Sequence, residues 1–241
     1  MLTSCTNKES KEDKISPTTT NQPWPIVMII AFIGPPGSGK GTQSRLIAQN
    51  LNISYVATGD LLRKAATTEA ALAKILDSGM LADPNYVNNL VSCKLRDIGN
   101  GNDCILDGYP RNMPQALYLR QYLEQNQSKL LVMYFQIADE LIIKRLSGRR
   151  SCPKCGAIYN IFYANSKIEW VCDACKDVKL SVRNDDNALV VQQRLQEYKN
   201  NTQTLIDFYT ESNIITVIDA SKSVGEIYDD CCNIIAAAHS L

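Results

Sequence analysis

The chain has 241 residues, enough for one α/β domain with inserted flaps or at most two small domains. Its 25 basic residues balance 25 acidic ones, which excludes a bulk electrostatic grip on nucleic acid or on an anionic membrane. The longest apolar run, 26–33, is far too short to cross a bilayer and reads as a buried strand.

Residues 1–25 are rich in Ser, Thr, Asn and Lys, hold three prolines and lack periodic apolar positions, so they are expected to be a disordered extension. Glu9, Glu12 and Asp13 and the lack of Arg speak against a transit peptide. Beyond this leader, strand and helix patterns alternate. Short β-rich runs at 26–33, 53–56, 103–106, 130–135 and 214–218 are bounded by turn residues. Helical patterns lie between them at 41–50, 86–98, 114–125, 140–149 and 188–209. The alternation predicts an α/β fold with a five-stranded parallel sheet and helices on both faces. Ligands in such folds sit beyond the carboxyl ends of the strands.

The first strand runs into Gly34-Pro35-Pro36-Gly37-Ser38-Gly39-Lys40-Gly41-Thr42, which opens a helix. Strand before and helix after are the setting of a phosphate-binding loop. Its glycines let backbone N–H groups turn inward around phosphate oxygens, the helix N-terminus favours negative charge, and Lys40 supplies a movable cation. Gly41 stands where most such loops carry the Ser or Thr that binds magnesium directly, and Thr42 follows one place later. Further on, Thr58-Gly59-Asp60-Leu61-Leu62-Arg63 starts a helix, with Thr58 well suited to cap it. Asp107-Gly108-Tyr109-Pro110-Arg111 ends a strand, where a carboxylate can hold the hydration shell of magnesium. Arg145 and Arg149 are four apart and would share a helix face.

Cys152-x-x-Cys155 and Cys172-x-x-Cys175 lie sixteen residues apart, the spacing of a zinc knuckle with four sulfur ligands. Nine cysteines, an odd number, fit a reducing cytosol better than a disulfide scaffold, two local disulfides being the competing reading for the four. His239, the lone histidine, needs no catalytic role.

The Gly-Lys-Gly-Thr variant of the loop, the Thr58–Arg63 segment and the Asp-Gly-Tyr-Pro-Arg segment resemble the adenylate kinase family of nucleoside monophosphate kinases, in its long-lid, zinc-binding form, over nearly the whole chain from about residue 26. Met28 opens a sequence similar to a family start, so 1–27 is expected to be an added or misassigned leader. The resemblance implies transfer of a phosphoryl group from magnesium-bound ATP to AMP, with UMP/CMP kinases as the near alternative. On the donor side it implies contacts from Gly37, Ser38, Gly39, Lys40, Gly41, Thr42, Arg149, Ile158, Tyr159 and Lys222. On the acceptor side it implies Thr58 against the AMP base, Arg63 on its phosphate, Gln115 at the adenine edge, and Met80, Leu81, Ala82, Gly108, Tyr109, Pro110, Arg111, Arg183 and Arg194. Lys40, Asp107, Arg111, Arg145, Arg149, Arg183 and Arg194 would carry the transfer.

An AMP phosphate oxygen is already anionic, so no general base is needed and catalysis rests on alignment and charge stabilisation. Two flaps, about 57–82 and 150–183, should close over the substrates, the first shortened between Arg63 and Gly79 relative to common bacterial forms. A zinc ribbon that grips nucleic acid would need a basic, aromatic face, whereas Glu169, Asp173 and Asp177 interrupt the lysines of this lid. Neither nucleic acid nor membrane is an expected partner, and the chain is expected to be a cytoplasmic monomer.

Overall fold

The computed structural model describes residues 28–99 and 101–240. The expected disorder of residues 1–25 lies outside this span, as do Ile26, Val27 and Cys5. Five parallel strands form the body: β1 (Met28–Ile33), β2 (Ser54–Ala57), β3 (Cys104–Asp107), β4 (Lys129–Gln136) and β7 (Ile215–Asp219), in the order β2-β3-β1-β4-β7. Each expected run falls on one of them.

The central strand shows why the sheet must be covered on both sides. All six residues of β1 are buried, as an unbroken apolar run in a parallel sheet requires. Alternation sends Met28, Ile30 and Phe32 to one face, where they meet Ile47 of α1 (Lys40–Leu51) and Ile227, Cys231 and Ile235 of α8 (Val224–His239). Ala31 and Ile33 go to the other, against Ala116 of α5 (Met113–Asn126) and Leu205 and Tyr209 of α7 (Ala188–Glu211).

Helix starts follow local chemistry. Asp83, Asn112 and Asn187 each accept a backbone N–H three residues on, from Tyr86, Gln115 and Val190, at the heads of α4 (Pro84–Ile98), α5 and α7. Ser223 and Glu226 form a reciprocal capping box on α8. Thr58 departs from expectation. Helix α2 (Thr58–Ala66) already includes it, Ala57 holds the cap position, and the Thr58 hydroxyl caps nothing. A further short helix, α3 (Ala70–Asp77), completes the first flap.

The run at 140–149 is also corrected at its end. Helix α6 (Asp139–Gly148) stops one residue early, and Arg149 turns to extended backbone to open strand β5 (Arg149–Ser151). At Gly148 a Cβ would lie 2.5 Å from Phe162 and 2.7 Å from Asn160, so the returning lid chain occupies the space a longer helix would need. Arg145 and Arg149 therefore do not share a helix face. Strand β5 pairs antiparallel with β6 (Ile158–Asn160), and Ser151 exchanges two 2.9 Å backbone bonds with Ser181, so the lid leaves and rejoins the body at one doubled neck. No helix among the described residues is long and apolar enough to cross a membrane.

Candidate active site

The cleft opens beyond the carboxyl ends of β1, β2 and β3, between the two flaps. Its volume is about 1330 Å³, above the roughly 300–1,000 Å³ usual for one small-molecule site. Its floor is the phosphate loop. Gly37 is left-handed (φ +79), and a Cβ there would press on Leu146 at 2.9 Å, so α6 packs directly on the loop backbone. Gly41 answers to Asp107, since a Cβ would sit 3.0 Å from the Asp107 Oδ2. The departure at this position thus lets the first turn of α1 lie against the carboxylate that ends β3.

Lys40 donates to the Gly34 carbonyl at 2.8 Å, the Pro35 carbonyl at 2.7 Å and the Ser38 hydroxyl at 3.1 Å, folded back over its own loop. Burial brings its ammonium down to about 7, opposed by Asp107 and reinforced by Arg111, Arg194 and Arg149. The same burial pushes the Asp107 carboxyl up, with Lys40 and Arg111 pulling the other way. This pair is a lysine and a carboxylate that both lack the counter-charges a phosphate and a divalent cation would bring.

All six arginines singled out in the sequence line this one cleft. Arg149 forks onto Asp186, and Arg194 pairs with Asp185 at 2.9 Å while also facing Asp186. Arg111 donates to the Gly108 carbonyl at 2.9 Å, and Arg145 to the Ser38 carbonyl at 3.3 Å. Arg183 makes no close ion pair among the described residues, although Asp185 and Asp60 act on it from farther off. Burial, then the Arg149 and Arg63 cations, bring it down to about 10, and burial with Arg149 and Arg111 does the same to Arg194. Guanidiniums held this close destabilise one another until an anion arrives.

Other candidates divide. Ile158, Tyr159, Lys222, Met80, Leu81, Gly108 and Pro110 line the cleft with the loop residues. Gln115 is buried, its side-chain oxygen accepting the Arg111 N–H at 2.7 Å, which leaves its amide nitrogen as the end that could read a base. The buried Thr58 hydroxyl has no hydrogen-bond partner, an orphan that a ligand group would satisfy.

Two candidates are corrected. The Tyr109 ring is fully buried in the core beside α4, its hydroxyl donating to Asn88 Oδ1 at 2.7 Å, so only its backbone remains for a ligand. Ala82 likewise packs into that core with Val56 and Leu62. His239 contacts Asp103 at 2.9 Å, at the amino-terminal end of β3 and so at the opposite end of the strands from the cleft.

Above the cleft the four lid cysteines converge, with all sulfurs within 4.8 Å of one another and none in a disulfide. Cys152–Cys175 and Cys155–Cys172 are 3.9 and 3.6 Å apart, matching the roughly 3.8 Å between sulfurs placed tetrahedrally at about 2.3 Å from zinc. Tyr159 is fixed from both sides: its hydroxyl accepts the Asp173 N–H at 2.8 Å and shares a hydrogen bond with the Cys172 sulfur at 3.5 Å, donating to it when Cys172 is a thiolate. Burial opposes the Cys172 thiolate, but that contact, the Cys175 N–H and the neighbouring thiols bring the thiol down to about 6. Burial pushes Cys155 up, and a hydrogen bond with Cys155 pushes Cys175 up to about 12, so in the metal-free cluster the first thiolate forms at Cys172.

Sequence reasoning missed Arg45, a seventh arginine on the cleft wall. The signal was present in its position four residues after Gly41, hence on the face of α1 that Gly41 turns toward Asp107.

A phosphate loop at the switch point of a parallel sheet, facing guanidiniums from both flaps in a space for two ligands, defines a nucleoside-phosphate-handling P-loop protein. A family model described as Adenylate kinase matches residues 32–214. Adenylate kinases from Rickettsia prowazekii and Rickettsia typhi are 41% and 40% identical to this chain over 212 residues, covering 86% of it and 99% of each relative. The adenylate kinase of Rickettsia africae is 40% identical over the same span. The chain belongs to the adenylate kinase family.

Proposed function

We infer that the chain transfers the terminal phosphoryl group of ATP, bound with magnesium, to AMP, reversibly giving two ADP. The observation that carries this is the convergence of Arg111, Arg149, Arg183 and Arg194 between the phosphate loop and the acceptor segment. Donor and acceptor phosphates would meet there. The attacking oxygen needs no base, so these residues act by alignment and by meeting charge as it develops. Lys40 swings from its loop carbonyls to the donor phosphates, and Arg63 and Arg111 take the acceptor phosphate. Thr58 and the Gln115 amide face the adenine. Magnesium, when bound, would neutralise phosphate charge beside Asp107.

The two flaps exclude water, which would otherwise take the phosphoryl group. The four thiolates hold a structural zinc, which closes its own coordination shell and takes no part in transfer. The protein works as a monomer in the cytosol, a reducing setting in which such thiols persist.

A product assay with ATP and a panel of nucleoside monophosphates tests this reading. AMP should be the best acceptor by kcat/KM, and a higher value for UMP or CMP would overturn the assignment.

A further inference from the structure

Arg45 ties three distant parts of the chain together. From α1 its Nη1 donates to the Cys155 carbonyl of the lid at 3.2 Å, and its Nη2 donates to Asp60 Oδ2 of the first flap at 2.9 Å. Its guanidinium also lies 5.7 Å from the centre of the Tyr55 ring in β2. The lid is shaped to receive it. At Gly156 (φ +71) a Cβ would lie 2.8 Å from Arg45 Nη2 and 3.1 Å from Nη1, so a bare backbone is needed for the approach. A surface ion pair alone would merit no attention. Here the planar fork is used on both arms, by two flaps that touch it from opposite sides.

Asp60 supplies the link to substrate. Its other oxygen takes Arg63 Nη2 at 2.6 Å, so one carboxylate is divided between Arg45 and Arg63. We propose that Arg45 is a positioning residue that couples closure of the lid to occupation of the acceptor side, an inference resting on the reading that both nucleotides share this cleft. An acceptor phosphate draws Arg63 away from Asp60. The freed carboxylate then holds Arg45 more firmly, and Arg45 holds the lid through the Cys155 carbonyl. Because such coupling is reciprocal, a bound donor must tighten acceptor binding by the same factor.

The test uses the full-length, zinc-loaded protein, a non-transferable β,γ-methylene ATP analogue, and AMP. In the unaltered protein saturating AMP should tighten analogue binding about fivefold or more, within the usual range of coupling between sites. Arg45→Met should bring that factor to within about twofold of none while leaving the affinity for each nucleotide alone little changed. Arg45→Lys should fall between, because one ammonium cannot span both partners, and it decides the matter should the Met variant not fold. A coupling factor unchanged in both variants, or absent in the unaltered protein, overturns the proposal. ADP formation from ATP and AMP is measured on the same preparation: if it is present while coupling is unchanged, this inference alone fails, and if it is absent, the functional reading fails with it.

Discussion

The sheet body and the lid reach their folds by different means. In the body, β1, β3 and β4 bury a continuous apolar core on both faces, with Phe32, Ile105, Leu106 and Phe135 fully inside. The lid core contains only Cys152, Cys172 and Leu180, with Ala157, Tyr159, Cys175 and Val178 packed at its edge. Its larger apolar side chains, Phe162, Tyr163, Ile168 and Trp170, are exposed. A unit of about 35 residues cannot offset its chain entropy with so little burial and needs a staple. Hydrophobic burial holds the body, while the small lid core is centred on a cluster of four cysteines, which under the proposed function supplies the staple.

The largest expected effect belongs to the body. Lys40→Ala should lower kcat/KM by about a hundredfold or more, because it removes the one mobile cation of the loop. It should leave thermal unfolding unchanged or slightly raised, since the buried ammonium is a cost to the fold. Steady-state kinetics with a melting curve checks both, and a loss of only a few-fold would deny Lys40 its role.

Arg183→Ala follows, with kcat expected to fall by roughly ten- to a hundredfold and more than KM rises, because Arg183 meets charge that develops during transfer. It is a cleaner probe than Arg149→Ala, which would strand the buried Asp186. A rise in KM alone would make Arg183 a ground-state anchor.

One type of substitution placed in each region sharpens the contrast. Leu106→Ala in β3 should cost about 2–5 kcal/mol of global stability, lowering Tm by roughly 2–4 °C for each kcal/mol. Leu180→Ala in the lid should shift the global transition by less than about 1 kcal/mol and instead speed local hydrogen exchange. Equal shifts in Tm would mean that body and lid unfold as one.

The smallest signal is a proton. Burial brings Lys40 down to about 7, and a bound phosphate would raise it again. Binding of magnesium-free ATP at pH 8, where the terminal phosphate of the free nucleotide is already fully ionised, should therefore take up protons at Lys40. Calorimetry in buffers of different ionisation enthalpy measures it, and Lys40→Arg should abolish it because arginine stays charged.

What the sequence made legible follows the same division. The five parallel strands are readable because each is a short β-rich run closed by turn residues, and the loop glycines because their spacing has one physical use. Strands β5 and β6 are three residues each, too short for any periodicity. For the same reason Arg149 reads as helical from its spacing but is taken into the lid neck by tertiary packing at Gly148. Tyr109 is hidden in another way. Its neighbours Gly108 and Pro110 do face the cleft, and only the packing beside Asn88 decides that its ring turns inward. The orphaned Thr58 hydroxyl illustrates the reverse, a residue whose local propensity suggests a cap but which lies buried within α2 without a hydrogen-bond partner.

The proposed function makes sulfur-bound metal, rather than apolar burial, the means by which the lid folds. Hydrogen exchange on the zinc-loaded protein, before and after removal of the metal with a strong chelator under reducing conditions, tests it directly. Amides of residues 150–183 should lose protection on chelation, with β1, β3 and β4 unchanged, thermal stability lowered, and turnover at low temperature retained at least in part. Undiminished lid protection in protein shown to be free of metal, or immediate and complete loss of turnover in metal-free protein whose sheet stays protected, would contradict it.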